Sequence, residues 1–255
     1  MFELVFVLLP IVLEGYDDSA NLMVVGENFS GNFTVKNGSL LDLSPGNYDC
    51  WLLAMNKSFY RKINTSEVEE LYFNLRFTNS TEFIKIYYHT VLYYSNGFLV
   101  SEVVFLNNTA NENFEGDIVI PMPDFYDLKI SSSLSYLRYE VSGNSLRFFD
   151  ILIPANGKGQ MILSYRLNSD VFYRDGRNSD YVLFTNLEVK SFEGIDYLGD
   201  RSFQGSTFSV YAGKDSVYKL HLTQKSPNFL PVVGIILASA GIFMFFYSRK
   251  GGWKF

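Results

Sequence analysis

Cysteine is almost absent from this chain of 255 residues, in which Cys50 is the only one. A single cysteine cannot form an intramolecular disulfide, so a disulfide-stapled scaffold is excluded for any compartment that the chain occupies. Cys50 lies in an apolar stretch, residues 47–54, that has the composition of a β-strand. We therefore interpret it as a small buried hydrophobic residue and not as a nucleophile.

Histidine is also scarce, with two residues, and the familiar catalytic patterns are missing. His89 and His221 each fall inside a predicted strand, with no acidic residue, cysteine or second histidine at metal-ligand spacing, so we interpret both as structural. The sequence contains no G-x-S-x-G elbow, no H-E-x-x-H pattern, no P-loop and no paired-cysteine zinc pattern. It therefore predicts no catalytic residue, no metal site and no cofactor, and it favours a protein that is not an enzyme.

Charge is sparse, since only 19% of the residues are charged and the formal net charge is −6. No dense cluster of Lys and Arg could follow a phosphate backbone, which argues against a nucleic-acid partner. Residues 170–180 carry several carboxylates, but they lack the acidic ladder and closing glutamate of an EF-hand, and Arg174 and Arg177 oppose a cation. We interpret this segment as a solvated turn.

Phe and Tyr, in contrast, are abundant, with 24 and 18 residues. Short alternating or apolar runs recur between Gly, Asn, Pro and Ser, and no amphipathic helix of three turns interrupts them. Because aromatic side chains suit pleated, half-buried surfaces, the sequence predicts an all-β fold. Adjacent rings such as Tyr87 and Tyr88 point to opposite faces of a strand, so either a second sheet or subunit covers both faces or some rings bind glycans or protein.

The uncharged run of residues 229–247 predicts one transmembrane helix near the C-terminus. As a helix it would span about 28 Å, which matches the hydrocarbon core of a bilayer. Gly234, Ala238 and Gly241 share one face, which suits close packing against another helix, although small residues are also common in membrane helices generally. Residues 248–255 then form a short cytoplasmic tail.

A second apolar run, residues 4–13, is too short to span a bilayer and has the length of a signal-peptide core. No Lys or Arg precedes it, and Gly15 is the best candidate for the residue before a cleavage site. We predict a signal peptide at residues 1–15, with an uncleaved anchor or a first buried strand as the alternative. The Lys and Arg residues flanking the C-terminal helix are balanced, so they do not decide its orientation.

Seven N-x-S/T sequons lie between the two apolar ends, all in the first half of the chain. The glycosylation candidates are Asn28, Asn32, Asn37, Asn56, Asn64, Asn79 and Asn107. Together with the apolar N-terminus, they predict a single-pass protein of the plasma membrane with residues 16–226 outside the cell.

The first predicted domain covers residues 16–66 and ends in a polar, acidic seam. Residues 41–51, Leu-Asp-Leu-Ser-Pro-Gly-Asn-Tyr-Asp-Cys-Trp, resemble a pattern of small transthyretin-like or carboxypeptidase-regulatory β-modules. Pro45 and Gly46 suit a tight turn, after which Tyr48 begins a strand. The resemblance implies a small β-module, and an ordinary β-hairpin with the same turn is the alternative.

The second predicted domain covers residues 67–168, and residues 169–226 add strands that continue it or form a membrane-proximal unit. Three segments resemble the Ig-like repeat domains of prokaryotic cell-surface proteins. They are residues 103–109, Val-Val-Phe-Leu-Asn-Asn-Thr, residues 114–123, Phe-Glu-Gly-Asp-Ile-Val-Ile-Pro-Met-Pro, and residues 143–165. Ala155 and Asn156 replace the glycine that this family usually has after Pro. The resemblance implies a β-sandwich that serves as a spacer, stalk or contact surface.

The C-terminal region carries a third resemblance. Pro227-Asn228-Phe229, the apolar run and Arg249-Lys250 are similar to the C-terminal sorting signals of archaeal surface glycoproteins. This likeness implies cleavage near the tripeptide and transfer of the ectodomain to a lipid, and a plain stop-transfer anchor is the alternative. Asn228 and the residues that follow Lys250 depart from the family's pattern.

These features predict a membrane-anchored extracellular β-protein that is a structural or protein- or glycan-binding component of the cell envelope. The alternative is a non-catalytic accessory subunit of a membrane transporter or enzyme. Such a subunit would dock another membrane protein through its ectodomain or through the Gly234, Ala238 and Gly241 face. A hydrolase that acts on envelope polymers has no residues to support it.

Overall fold

The chain is all-β in a computed structural model that describes residues 7–132, 134, 137–203 and 206–223. Within these residues the strands are interrupted by one short 3₁₀ turn, Thr81–Phe83, and by no α-helix, which confirms the predicted all-β class. The chain divides into two compact units between Thr78 and Asn79.

Unit 1 contains two sheets whose inward side chains share one core. Its strands are β1 Val7–Glu14, β2 Ala20–Gly26, β3 Phe29–Val35, β4 Leu40–Leu43, β5 Asn47–Ala54, β6 Lys57–Asn64, β7 Leu71–Asn74 and the two-residue β8 Phe77–Thr78. One sheet has the order β4-β1-β7 and the other the order β3-β2-β5-β6. Alternate residues of both sheets are buried, including Leu9 of the first sheet and Leu22 and Cys50 of the second, as expected when one face of each strand is covered.

The apolar run at the N-terminus forms β1, the middle strand of the three-stranded sheet. Its first half pairs antiparallel with β4, and its second half, Ile11–Glu14, pairs parallel with β7. Leu9, Ile11 and Leu13 are almost completely buried. The structure thus places residues 7–14 as the first buried strand, which was the alternative to a signal peptide, and cleavage after Gly15 would remove this strand.

Pairing of β7 with β1 also moves the boundary between the domains. The sequence places that boundary at residue 66, on the acidic seam, whereas Leu71 and Phe73 fill the core of unit 1. Because the side chains of β7 fill the core of unit 1, this strand belongs to that unit, which extends to Thr78. The seam is a surface segment inside one unit.

Unit 2 contains a large and a small sheet around a second core. Its strands are β9 Ile84–Tyr94, β10 Phe98–Asn108, β11 Asn113–Pro121, β12 Phe125–Ser132, β13 Arg138–Val141, β14 Ser145–Ile153, β15 Lys158–Leu167, β16 Val171–Thr185, β17 Glu188–Glu193, β18 Asp196–Phe203 and β19 Ser206–Thr223. The large sheet has the order β12-β15-β10-β9-β16-β19-β17, with β18 also on β19. In the small sheet β14 pairs with β13 and β11. The strands after residue 169 therefore continue the large sheet.

The predicted solvated turn at residues 170–180 is wrong, because β16 runs through it. Phe172 and Arg174 point inward and are completely buried, while Tyr173 is exposed between them. The strand is irregular only between Gly176 and Asp180, where its register against β19 shifts. Arg174 is a charged residue on the inward face, so the sequence does not show the alternation of apolar and polar residues that is typical of such a strand.

Strands β17 and β18 lie end to end along the same edge of β19. β17 pairs with the C-terminal part of β19 and β18 with its N-terminal part, both antiparallel. Gly194 joins them with a φ of +69°, in the left-handed region. A Cβ at Gly194 would lie 2.0 Å from the carbonyl oxygen of Val217, so only glycine fits this close approach.

Candidate functional site

The seven sequon asparagines are accessible. Five of them are exposed: Asn28, Asn32, Asn37, Asn56 and Asn79. The other two, Asn64 and Asn107, are half-buried. Asparagines outside sequons are of both kinds, since Asn108 and Asn113 are buried and Asn21 and Asn96 are exposed. The glycosylation candidates therefore all lie where a modifying enzyme could reach them after folding.

The predicted membrane segment and its packing face lie outside the described residues. Residues 229–247, with Gly234, Ala238 and Gly241, and the tail that follows them belong to this part. Among residues 7–132, 134, 137–203 and 206–223, no helix has the length and apolar character needed to cross a bilayer.

The structure does not bring the two histidines together. His89 lies in β9 with its ring edge-on to Phe105, at 5.5 Å between centroids, and His221 lies in β19 opposite Val171 of β16. Burial raises the pKa of the Cys50 thiol to about 12, which fits an unreactive core residue. In the described part of the chain, no three His, Cys, Asp or Glu side chains are grouped closely enough to hold a metal ion.

Burial of His89 predicts a pH dependence of stability. Desolvation lowers its pKa to about 4, whereas an unfolded histidine titrates near 6.5. Between these values the unfolded chain binds a proton that the folded chain does not, so the free energy of unfolding falls as the pH drops through this window. We expect H89F to reduce this fall, measured by urea unfolding from pH 7.5 to pH 4. Equal slopes for the two proteins across the window would contradict the prediction.

The most unusual polar site, which the sequence did not reveal, is an ion pair in the core of unit 2. Arg174 and Glu102 are both completely buried, and the Nη2 of Arg174 donates to Oε2 of Glu102 and to the Tyr165 hydroxyl, the latter at 3.0 Å. Thr90 donates to the other Glu102 oxygen at 2.8 Å. Nη1 of Arg174 donates to the carbonyl oxygen of Pro121.

Aromatic rings enclose this buried cluster. The guanidinium carbon of Arg174 lies 4.7 Å from the centroid of the Tyr88 ring, which is within cation–π range. Burial raises the pKa of Tyr88 to about 12 and that of Tyr165 well above its ordinary range. Burial alone would lower the pKa of Arg174, but the Glu102 carboxylate holds it well above its ordinary value. The arginine is therefore a fixed charge with no proton to exchange.

A cleft of about 610 Å³ opens beside the cluster, between β9, β11 and β16. Tyr88 and Pro121 line it, as do the carboxylates of Asp117 and Asp175. A hydrogen bond from Arg147 lowers the pKa of Asp117, and one from Arg177 lowers that of Asp175. Both carboxylates are therefore held ionised, which makes neither of them a suitable general acid near neutral pH.

The outer face of the four-stranded sheet in unit 1 carries a second feature, which we call the aromatic row. It consists of Met23 on β2, Trp51 on β5 and Tyr60 on β6, each opposite the next across the sheet. The Trp51 and Tyr60 rings lie 5.4 Å apart, and the Tyr60 hydroxyl donates to Asp49 at 2.5 Å. An apolar row in the middle of a sheet face is typical of a surface that another group covers.

No established family model matches the sequence. An uncharacterized protein of Archaeoglobus fulgidus is 36% identical over 249 residues, which cover 96% of this chain and 90% of that protein. Among solved structures, a candidate nutrient-binding protein of Legionella pneumophila gives a TM-score of 0.37 at 10% identity, over 57% of this chain and 68% of that one. An M1 zinc metallopeptidase of Deinococcus radiodurans gives a TM-score of 0.34 at 6% identity, over 55% of this chain and 42% of that one.

The two structural likenesses are too weak to carry an argument about fold or function. The likeness to the archaeal sequence extends over nearly the whole of both chains, including both units. This chain belongs to the same protein family as the Archaeoglobus fulgidus protein.

Proposed function

We propose that this chain is a membrane-anchored extracellular β-protein, a structural or protein- or glycan-binding component of an archaeal type of cell envelope. The observation that carries the proposal is the accessibility of all seven sequon asparagines. Surface positions for every sequon suit a glycosylated ectodomain. The archaeal relative is consistent with this setting.

The two units suit a spacer or contact module. We propose that unit 1 is a transthyretin-like β-module and unit 2 an Ig-like β-sandwich, and each has two sheets with a shared core in support of this. We further propose that residues 229–247 anchor the chain as a transmembrane helix, with plain anchoring preferred to removal by a sorting enzyme. The protein then acts by binding and spacing, without catalysis.

The topology can be tested on the native membrane protein. We expect glycopeptide mass spectrometry to find occupied sequons in units 1 and 2, and intact mass to include the C-terminal apolar segment. A membrane-impermeant amine reagent applied to whole cells should label exposed lysines of the β-units, such as Lys36 and Lys214. Unmodified sequons, together with lysines that react only after lysis, would overturn the proposal.

The accessory-subunit alternative is separated from a free surface protein by purification in mild detergent. A stoichiometric integral-membrane partner that is lost when Gly234, Ala238 and Gly241 are changed to Leu would favour the accessory subunit. Recovery of the chain alone, or only with copies of itself, would favour the envelope component. A Leu substitution at Ala240, a small residue outside this face, is the matched control.

A further inference from the structure

The aromatic row of unit 1 ends at a sequon. Strand register places Asn32 of β3 opposite Met23, Met23 opposite Trp51, and Trp51 opposite Tyr60. Side chains that face each other across neighbouring strands lie on the same side of a sheet. Because strands are about 4.8 Å apart, Asn32 stands about 10 Å from Trp51 and about 14 Å from Tyr60.

The row is open to solvent and held in place. Met23 is 38% exposed and Tyr60 54% exposed, and Trp51 is partly exposed between them. The hydrogen bond from Tyr60 to Asp49 fixes the ring, and Lys62 stands opposite Asp49 on the next strand. The row is thus an apolar strip with one acidic and one basic residue beside it, which suits a neutral ligand with both apolar faces and hydroxyl groups.

We propose that the N-linked glycan on Asn32 folds back along the aromatic row and packs the apolar faces of its first sugar units on Met23, Trp51 and Tyr60. This inference rests on the extracellular glycoprotein function proposed above. Packing removes apolar surface of the row from water, and Asp49 and Lys62 are placed to hydrogen-bond the sugar hydroxyls. Because the glycan is tethered at one end of the row, its effective concentration there is high without any further contact.

The position of Asn32 distinguishes it from the other sequons of this sheet. Asn28 lies in the turn between β2 and β3, Asn56 lies in the turn between β5 and β6, and Asn64 is the last residue of β6. A glycan on any of these three starts at an end of the sheet. Asn32, in contrast, lies inside the edge strand β3, on the outer face of the sheet and directly opposite Met23 of the aromatic row. Asn28 therefore provides the matched control, because it is in the same hairpin but off the row.

The fluorescence of Trp51 can show whether the glycan covers the aromatic row. Trp253 is the only other tryptophan, so W253F in the full chain leaves Trp51 as the single fluorophore. This protein, produced in an N-glycosylating archaeal host, is compared with its N32Q and N28Q versions by acrylamide quenching and emission wavelength. We expect N32Q to raise the quenching constant of Trp51 to that of protein made without glycosylation and to shift its emission to longer wavelength. N28Q should leave both values unchanged.

Three outcomes would overturn the inference. The first is an Asn32 peptide that carries no glycan. The second is a glycosylated Asn32 whose replacement in N32Q leaves the quenching of Trp51 unchanged. The third is protection of Trp51 that appears only when a soluble glycan or a second protein is added. Surface labelling of Lys214, which is well exposed, in the same cells separates this inference from the proposed function. A labelled chain with an uncovered Trp51 contradicts only the inference, whereas a chain that is inaccessible from outside contradicts the function itself.

Discussion

E102A is expected to destabilise unit 2 by about 3–5 kcal/mol, because it leaves the buried charge of Arg174 without its partner. Both side chains have no exposed surface, so water cannot replace the lost carboxylate. Thr90 also loses the acceptor of its hydrogen bond. The effect is measured as the free energy of unfolding from hydrogen exchange of peptides in β10 and β15, which report on unit 2 separately from unit 1.

The double variant E102L/R174M is the control for this prediction. It removes both charges and replaces them with apolar side chains, which in buried ion pairs is often neutral or stabilising. We therefore expect the double variant to be more stable than E102A, although it carries one more substitution. A double variant that is less stable than E102A would mean that the ion pair itself, and not the unpaired charge, supplies the stability.

Replacement of Gly194 by Ala is expected to cost more than the change of backbone preference alone. An L-residue in the left-handed region costs about 1–2 kcal/mol. At Gly194 the new Cβ would also lie 2.0 Å from the carbonyl oxygen of Val217, which is backbone and cannot rotate away. The junction of β17 and β18 must then separate from β19. Hydrogen exchange in β17, β18 and the facing part of β19 should increase together.

G143A separates the two contributions. Gly143 also has a left-handed φ, at +54°, but a Cβ there would meet no atom within 4 Å. It should therefore show only the cost of the backbone conformation. If G143A and G194A destabilise the protein equally, close approach of Gly194 to β19 is not the reason for glycine at that position.

Much of the fold could be predicted from local sequence, because turns and strands are local. Asn37-Gly38 and Asn96-Gly97 lie between strands, and the positive φ values of Asn96 and Gly97 show why these residues are used there. β1 could not be assigned so directly. A short apolar run has the same composition whether it is a signal-peptide core or a strand with Leu9, Ile11 and Leu13 in a core.

The polar site could not be predicted, because its parts are distant in sequence. Glu102 and Arg174 are 72 positions apart in the sequence. They meet because β9 pairs with both β10 and β16, which brings these two strands into the same sheet. The one local signal was Glu102 itself, an acidic residue inside the apolar strand of residues 98–106. The aromatic row likewise exists only through register, since Met23, Trp51 and Tyr60 come from three different strands.

The split pairing of β1 has a consequence for the order of events during synthesis. β1 is synthesised well before its parallel partner β7, which begins only at Leu71, so most of unit 1 must emerge before its core can close. Until then the second half of β1, Ile11–Glu14, lacks its parallel strand partner. Closure of this core is therefore a slow step in the folding of unit 1, because the chain entropy of the long intervening segment is lost before the contact forms.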